Sequence, residues 1–182
     1  MIDKGFSQRE GIDYTKIFSP VVKFKTIHMM LIVVVHFDLE LEQLDVKTAF
    51  LHGDLDELIY MKQFARYIDT LHPKHIRLLK KSLYRLKQSP RQWYKKFDNF
   101  ATEIGFTLSK YGSCFYYMLS SILVYLILYV DDILLISKCK SKICELKSLL
   151  NTNFEMKDLG LAKKILGMIV ERDKSKNSLK IH

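Results

Sequence analysis

Apolar positions recur along this chain with two periods, and each marks a different kind of element. Ile27, Met30, Leu31 and Val34 stand at i, i+3, i+4 and i+7, the stripe of an amphipathic helix, with Thr26 placed to cap it. Trp93, Phe97, Phe100, Ala101 and Ile104 form a second helical stripe, and Gly105 is placed to end it. Ahead of that stripe, Ser89-Pro90-Arg91-Gln92 has the make-up of a capping box with Pro at the first helical position. Ile143, Leu146, Leu149 and Leu150 mark a third helix. Residues 41–46 alternate apolar and polar and read as a strand, with a short second strand at 59–61. Residues 114–118, 122–129 and 133–136 are strand-like, and 165–170 with 179–181 predict a hairpin around 173–177. Residues up to about 22 are polar and turn-rich. Helices and strands mix without regular βαβ alternation, so the predicted class is α+β.

Composition narrows the setting. The 182 residues are 48% apolar and 27% charged, ordinary for a packed domain and unlike a disordered chain. Three cysteines, 114, 139 and 144, are too few for a disulfide scaffold, which predicts a reduced, intracellular protein. The longest apolar runs, 29–35 and 122–130, fall well short of the ~20 residues of a membrane crossing, and no membrane partner is expected. The N-terminal residues lack the form of a signal peptide. Lys and Arg number 29 against 20 Asp and Glu, a formal +9, and the excess is concentrated. Between residues 74 and 98 lie Lys74, Arg77, Lys80, Lys81, Arg85, Lys87, Arg91, Lys95 and Lys96 against Asp98 alone. A charge run is most often a solvated helix face. Interleaved with Tyr84, Trp93, Tyr94 and Phe97, this one suits a phosphate backbone and stacked bases, so nucleic acid is the expected partner.

The acids carry the chemical question. Asp131-Asp132 interrupts two of the most apolar segments, where adjacent carboxylates are costly unless solvated at a hairpin tip or compensated by cations. Asp45 ends the strand at 41–46, and strands bearing Asp45 and Asp131 side by side would converge two or three carboxylates at one sheet edge. Such hard oxygen ligands suit Mg²⁺, and two such ions support nucleotidyl transfer. Sulfur and imidazole offer no comparable set: Cys139 and Cys144 are isolated, and His72 with His75 lacks two further ligands at zinc spacing.

Five ordered blocks then resemble the reverse transcriptase of Ty1/copia-type retrotransposon Pol polyproteins. Tyr129-Val130-Asp131-Asp132 is similar to the YVDD box; QLDVKTAFLHGDLDELIYMKQ (43–63) resembles the first catalytic motif; SLYRLKQSPRQWYKKFD (82–98) resembles the nucleotide-binding motif. FEMKDLGLAKKILGM (154–168) resembles the downstream palm segment, and GFSQREGIDYTKIFSPV (5–21) the entry to the fingers. The resemblance implies a right-hand polymerase: palm with partial fingers, an antiparallel sheet packed on helices. Fingers-like parts are expected at 1–40 and about 56–90, with most of the remainder palm. It implies RNA-directed DNA polymerisation with two Mg²⁺ ions, Mn²⁺ being a possible substitute. Its partners would be an RNA or DNA template-primer, dNTPs and, in an intact element, the rest of the Pol polyprotein, including integrase and RNase H. By the same resemblance the expected location is cytoplasmic, in a virus-like particle.

Carried over by position, Asp45 and Asp131 would bind metal, with Asp132 assisting and the Val46 carbonyl as a further ligand. Thr48 and Ala49 would offer N–H groups to the triphosphate, Phe50 would exclude a ribose 2′-OH, and Gln88 would pack on the incoming nucleotide. Tyr129 and Val130 would lie at the primer terminus, and Lys80, Lys81, Arg91 and Lys95 would contact nucleic acid. Arg85 stands where the family has Gly, which predicts an unusual φ or a close backbone approach there. No thumb, RNase H, integrase or protease segment is read in the 182 residues. The expectation is a truncated or degraded copy, the alternative being a catalytically dead remnant that only binds nucleic acid.

Overall fold

The computed structural model describes residues 8–182, so residues 5–7 of the expected fingers entry lie outside the described residues. Two compact units form: Met1–Ser19 with Ala49–Asp98, and Pro20–Thr48 with Asn99–His182.

The second unit is built on a six-stranded sheet, every neighbouring pair antiparallel, in the order β4-β5-β6-β7-β1-β8. Its strands are β1 (Glu40–Val46), β4 (Thr107–Leu108), β5 (Phe115–Leu119), β6 (Leu123–Tyr129), β7 (Asp132–Ser137) and β8 (Met156–Leu161). β5, β6 and β7 form a meander of apolar strands, with Val124, Leu126, Ile127, Leu128 and Ile133–Ile136 all buried. β1 inserts between β7 and β8, so it is an interior strand. Helix α1 (Phe24–His36) buries Thr26, Ile27, Met30, Leu31 and Val34. The apolar stripe is as predicted, but the cap is not: the helix begins three residues earlier, behind Lys23, and Thr26 lies inside it with its side chain buried. Helix α3 (Lys140–Asn153) lies against β1, β7 and β8 through Ile143, Leu146 and Leu150, while Leu149 turns out to solvent. β9 (Lys164–Ile165), β10 (Met168–Asp173) and β11 (Ser178–Ile181) make a small second sheet. The predicted hairpin is present as the β10–β11 pair with residues 174–177 as its turn, but the single strand expected at 165–170 is divided between β9 and β10.

The first unit holds the hairpin of β2 (Tyr60–Lys62) and β3 (Ile76–Leu78) and the opening turns of helix α2 (Ser89–Glu103), which ends in the second unit. Trp93 and Phe97 are fully buried, as their stripe predicts, and Gly105, at φ +97°, terminates α2. The expected capping box does not form. Ser89 Oγ donates to the Leu83 carbonyl at 2.5 Å and accepts from Ser82, while the Gln92 amide reaches Asp56. A packed partner has taken each side chain that the local motif would have used. Gly53 approaches this helix so closely that a Cβ there would stand 2.9 Å from the Trp93 nitrogen.

The predicted strangeness of position 85 is present. The Leu86 amide donates to the Leu83 carbonyl, closing a four-residue turn whose third residue, Arg85, has φ +73°. That is the type II position that favours glycine.

Candidate active site

The strands of the second unit align the acids by register. In an antiparallel pair, directly opposed residues share a face. Tyr129 of β6 opposes Asp132 of β7, Asp132 opposes Asp45 of β1, and Asp45 opposes Lys157 of β8. One transverse row thus reads Tyr129, Asp132, Asp45, Lys157 across four neighbouring strands. β6 and β7 are joined by the two residues Val130 and Asp131, and the Val46 amide donates to the Asp131 carbonyl at 2.8 Å, tying this turn to the end of β1. Asp131-Asp132 is therefore a hairpin tip and part of a convergence of acids, two alternatives that the geometry makes compatible. The convergence lies at one end of interior strands, which corrects the expected sheet edge.

The turn is strained. Val130 has φ +56°, a left-handed conformation that a β-branched residue adopts at a cost on the order of 1–3 kcal/mol. Beside it, Asp131 is exposed, and Asp45 and Asp132 are half-buried. Burial raises the Asp132 carboxyl above its ordinary range; a hydrogen bond from Gln43 opposes this, and the charges of Asp131 and Asp45 add to the rise. The three carboxylates therefore share one field. A cleft of about 380 Å³ opens beside Asp132, lined also by Gln43, Tyr129, Lys163 and Lys164 among others.

Ion pairing separates Asp45 from its neighbours in sequence. Asp38 pairs with Arg172, Glu40 with Lys174, Glu42 with Lys147, Asp54 with Lys96 and Asp56 with Lys95, while Glu57 accepts from Thr15. Of the seven acids between residues 38 and 57, Asp45 is the one whose side chain has no hydrogen bond or ion pair among the described residues. The donor set of the row, hard carboxylate oxygens with a mutual repulsion to relieve, fits a divalent cation of the Mg²⁺ kind, which needs only one or two protein carboxylates. No three His, Cys, Asp or Glu side chains among the described residues are gathered as a metal cage in themselves.

The remaining expected site residues divide between the units. Val46 is buried beside Asp45, and Thr48 is exposed at φ +52°, both in the second unit. In the first, Ala49 opens a short 3₁₀ turn (Ala49–His52), and the Phe50 ring meets the Tyr84 ring edge-on at 5.4 Å between centroids. Gln88 is fully buried; its oxygen accepts from Gln8 Nε2 and its amide donates to the Asp13 carbonyl, each at 3.0 Å. The basic run proves largely engaged within the first unit. Lys95 and Lys96 are paired with acids, Lys87 lies over the Tyr14 ring, and Arg91 donates to the Phe18 carbonyl. Lys80 and Lys81 are exposed. The acidic and basic segments, read as separate features in the sequence, thus meet at Asp54 and Asp56.

Two residues beside these acids escaped the sequence reading, one in the row and one just behind it. Gln43, two positions before Asp45 on an alternating strand, was readable as sharing its face. Lys157 lies in a segment without alternation and carried no comparable signal.

Comparison with known sequences bears on all of this at once. The family described as "Reverse transcriptase (RNA-dependent DNA polymerase)" matches residues 1–182. The retrovirus-related Pol polyprotein from transposon TNT 1-94 of Nicotiana tabacum is 47% identical over 182 residues, 98% of this chain and 14% of that protein. That from transposon RE1 of Arabidopsis thaliana is 38% identical over 159 residues, 87% of this chain and 11% of that protein. The putative transposon Ty5-1 protein of Saccharomyces cerevisiae is 32% identical over 130 residues, 71% of this chain and 42% of that protein. The chain thus spans less than half the length of each of these relatives. No solved structure matches it.

Proposed function

Because the chain belongs to the reverse transcriptase (RNA-dependent DNA polymerase) family over residues 1–182, we propose that it carries the nucleotidyl-transfer centre of a Ty1/copia-type Pol polyprotein, extending a DNA primer along an RNA or DNA template. The observation that carries this reading is the acid row: Asp45 and Asp132 directly opposed, Asp131 tied alongside, and Asp45 without a side-chain ion pair among the described residues while Asp38, Glu40, Glu42, Asp54 and Asp56 each have one. The six-stranded unit is proposed as the palm and the other unit as part of the fingers.

Reverse transcriptases use divalent metal ions, and Asp45, Asp131 and the Val46 carbonyl would hold them here, with Asp132 assisting. When bound, two Mg²⁺ ions would activate the primer 3′-hydroxyl and stabilise the leaving pyrophosphate. Tyr129 and the strained Val130 would set the primer terminus against the acids. Thr48 and Ala49 N–H groups would meet the triphosphate, and the Phe50 ring would exclude a ribose 2′-hydroxyl. Gln88 would support the nucleotide site by fixing Gln8 and Asp13; direct contact with a nucleotide requires it to exchange one of those bonds. Lys80 and Lys81 would take template phosphates, with Arg91 and Lys95 joining only by releasing their present partners.

The partners proposed are template-primer, dNTPs and the other segments of a Pol polyprotein. Among the described residues no helix is long and apolar enough to cross a membrane. The binding-only alternative loses ground because acids within the same unit neutralise Lys95 and Lys96. The test is primer extension on poly(rA)/oligo(dT) with Mg²⁺ or Mn²⁺. Extension that disappears in Asp45→Asn and Asp131→Asn supports the proposal. Extension that survives both substitutions, or none under either metal, goes against it.

A further inference from the structure

Gln43 stands one row behind Asp45 on the same face of β1, and its Nε2 donates to Asp132 Oδ1 at 2.8 Å. It is 6% exposed, so this is a buried amide committed to one carboxylate oxygen. Its neighbours in register are Leu134 on β7 and Gly160 on β8, neither of which offers a competing polar side chain. A shift in the β1–β8 pairing falls between Gln43 and Leu44, at the point where the amide turns toward Asp132.

We propose that Gln43 is a positioning residue for Asp132 and, through it, sets the cation preference of the acid row. With Oδ1 held by the amide, Asp132 offers outward the single oxygen Oδ2. A small ion of octahedral habit, such as Mg²⁺ or Mn²⁺, is served by single carboxylate oxygens and keeps waters in its remaining positions; Ca²⁺ takes six to eight ligands and readily uses a carboxylate through both oxygens. Holding one oxygen therefore favours the smaller ion. Groups that orient a ligand in this way typically account for ~10–100-fold in metal affinity. The inference rests on the metal reading proposed above for Asp45 and Asp131.

The test uses the 182-residue chain and two readouts that need no polymerase activity. Free Mn²⁺ is followed by electron paramagnetic resonance with Ca²⁺ as competitor, in the unsubstituted chain and in Gln43→Met, which keeps the length of the side chain and removes the donor. The expected result is Mn²⁺ binding weakened by roughly 10–100-fold, with a smaller loss for Ca²⁺, so that the preference shrinks. Mn²⁺ affinity and preference unchanged in Gln43→Met, while Asp45→Asn abolishes binding, overturns the role of Gln43 and leaves the metal reading standing. Binding indifferent to Asp45→Asn and Asp131→Asn overturns both. Where Gln43→Met fails to fold, hydrogen exchange of the ¹⁵N-labelled Gln43 side-chain amide in the unsubstituted chain decides. Exchange slowed well below that of a free amide, and accelerated in Asp132→Asn, supports the proposal; exchange at the free rate overturns it.

Discussion

β1 carries acids on both of its faces, and the two faces treat them in opposite ways. On the face covered by α3, Glu42 is buried against Lys147, whose side chain is only 11% exposed and which also pairs with Asp158 of β8 at 2.6 Å. Burial works against the charge of Lys147, but its hydrogen bonds to Asp158 and Glu42 outweigh this and hold its pKa above the ordinary lysine value. On the other face, Asp45 stands between Lys157 of β8 and Asp132 of β7 with Asp131 alongside, and across the β1–β7 pair like charge faces like charge. Folding alone would favour the first arrangement on both faces, since two opposed carboxylates destabilise a strand pair. The strands thus show what structural acids look like in this molecule, and the second set differs in having carboxylates directly opposed across the β1–β7 pair. The strained Val130 stands at the tip of the β6–β7 hairpin, beside these acids.

The largest effect that separates the faces comes from removing the shared cation. Lys147→Met leaves Glu42 charged and buried with no partner, which costs about 3–5 kcal/mol, read as a lowered denaturation midpoint. Replacing both members, Glu42→Leu with Lys147→Met, recovers most of that loss, because a well-packed apolar pair often does as well as a buried ion pair. A Lys147→Met chain as stable as the unsubstituted one would remove the contrast on which the comparison stands.

A smaller effect tests the open face. A divalent cation bound there relieves the repulsion and stabilises the fold by mass action, by ~1.4 kcal/mol at ten times its dissociation constant, or roughly 3–6 °C in melting temperature for a chain of this size. Mg²⁺ is expected to raise the melting temperature of the unsubstituted chain and to leave the double variant Asp45→Asn, Asp131→Asn unmoved. An equal rise in both would place the ion somewhere else.

How much of this was legible beforehand depended on whether a residue's role repeats along the chain. The stripe of Trp93, Phe97, Phe100 and Ala101 was readable because burial on a helix recurs every three to four residues, and the apolar strands β6 and β7 because burial on both faces leaves an unbroken run. Asp131 and Asp132 stood out against that run, and strand alternation placed Asp45 at the end of its strand. β8 was invisible: Met156–Leu161 is mostly exposed and carries a glycine at φ +68°, so neither period shows. The pairings of Lys147 with Glu42 and of Lys95 and Lys96 with Asp56 and Asp54 were equally hidden, since a cation on an amphipathic helix reads as solvated until its partner, 39 to 105 residues away in these cases, is brought to it. At the capping box the distant Asp56 took Gln92, while Ser89 went to the nearby Ser82 and Leu83. Local signals identify what a side chain can do, and long-range packing decides which of those options it takes.

The finest distinction between the two faces is the sign of their response to pH. Asp132 has its pKa raised, by burial first and then by Asp131 and Asp45 against the opposing bond from Gln43. Its folded state is thus favoured while the carboxyl is protonated, and that advantage is lost as pH rises from the ordinary 3.8 through the raised value. Asp158, although burial raises it, ends below 3.8 because the Lys147 ammonium and the Gly160 amide outweigh burial; its contribution is present above 3.8 and lost as pH falls through the lowered value. Melting temperatures of Asp132→Asn and Asp158→Asn, followed from acid to neutral pH, should therefore diverge. The first variant melts above the unsubstituted chain at neutral pH and converges on it in acid. The second melts below it at neutral pH and also converges in acid. Two curves that departed from the unsubstituted chain in the same direction would show that the carboxylates of both faces are held alike, and Asp132 would then belong with the structural acids.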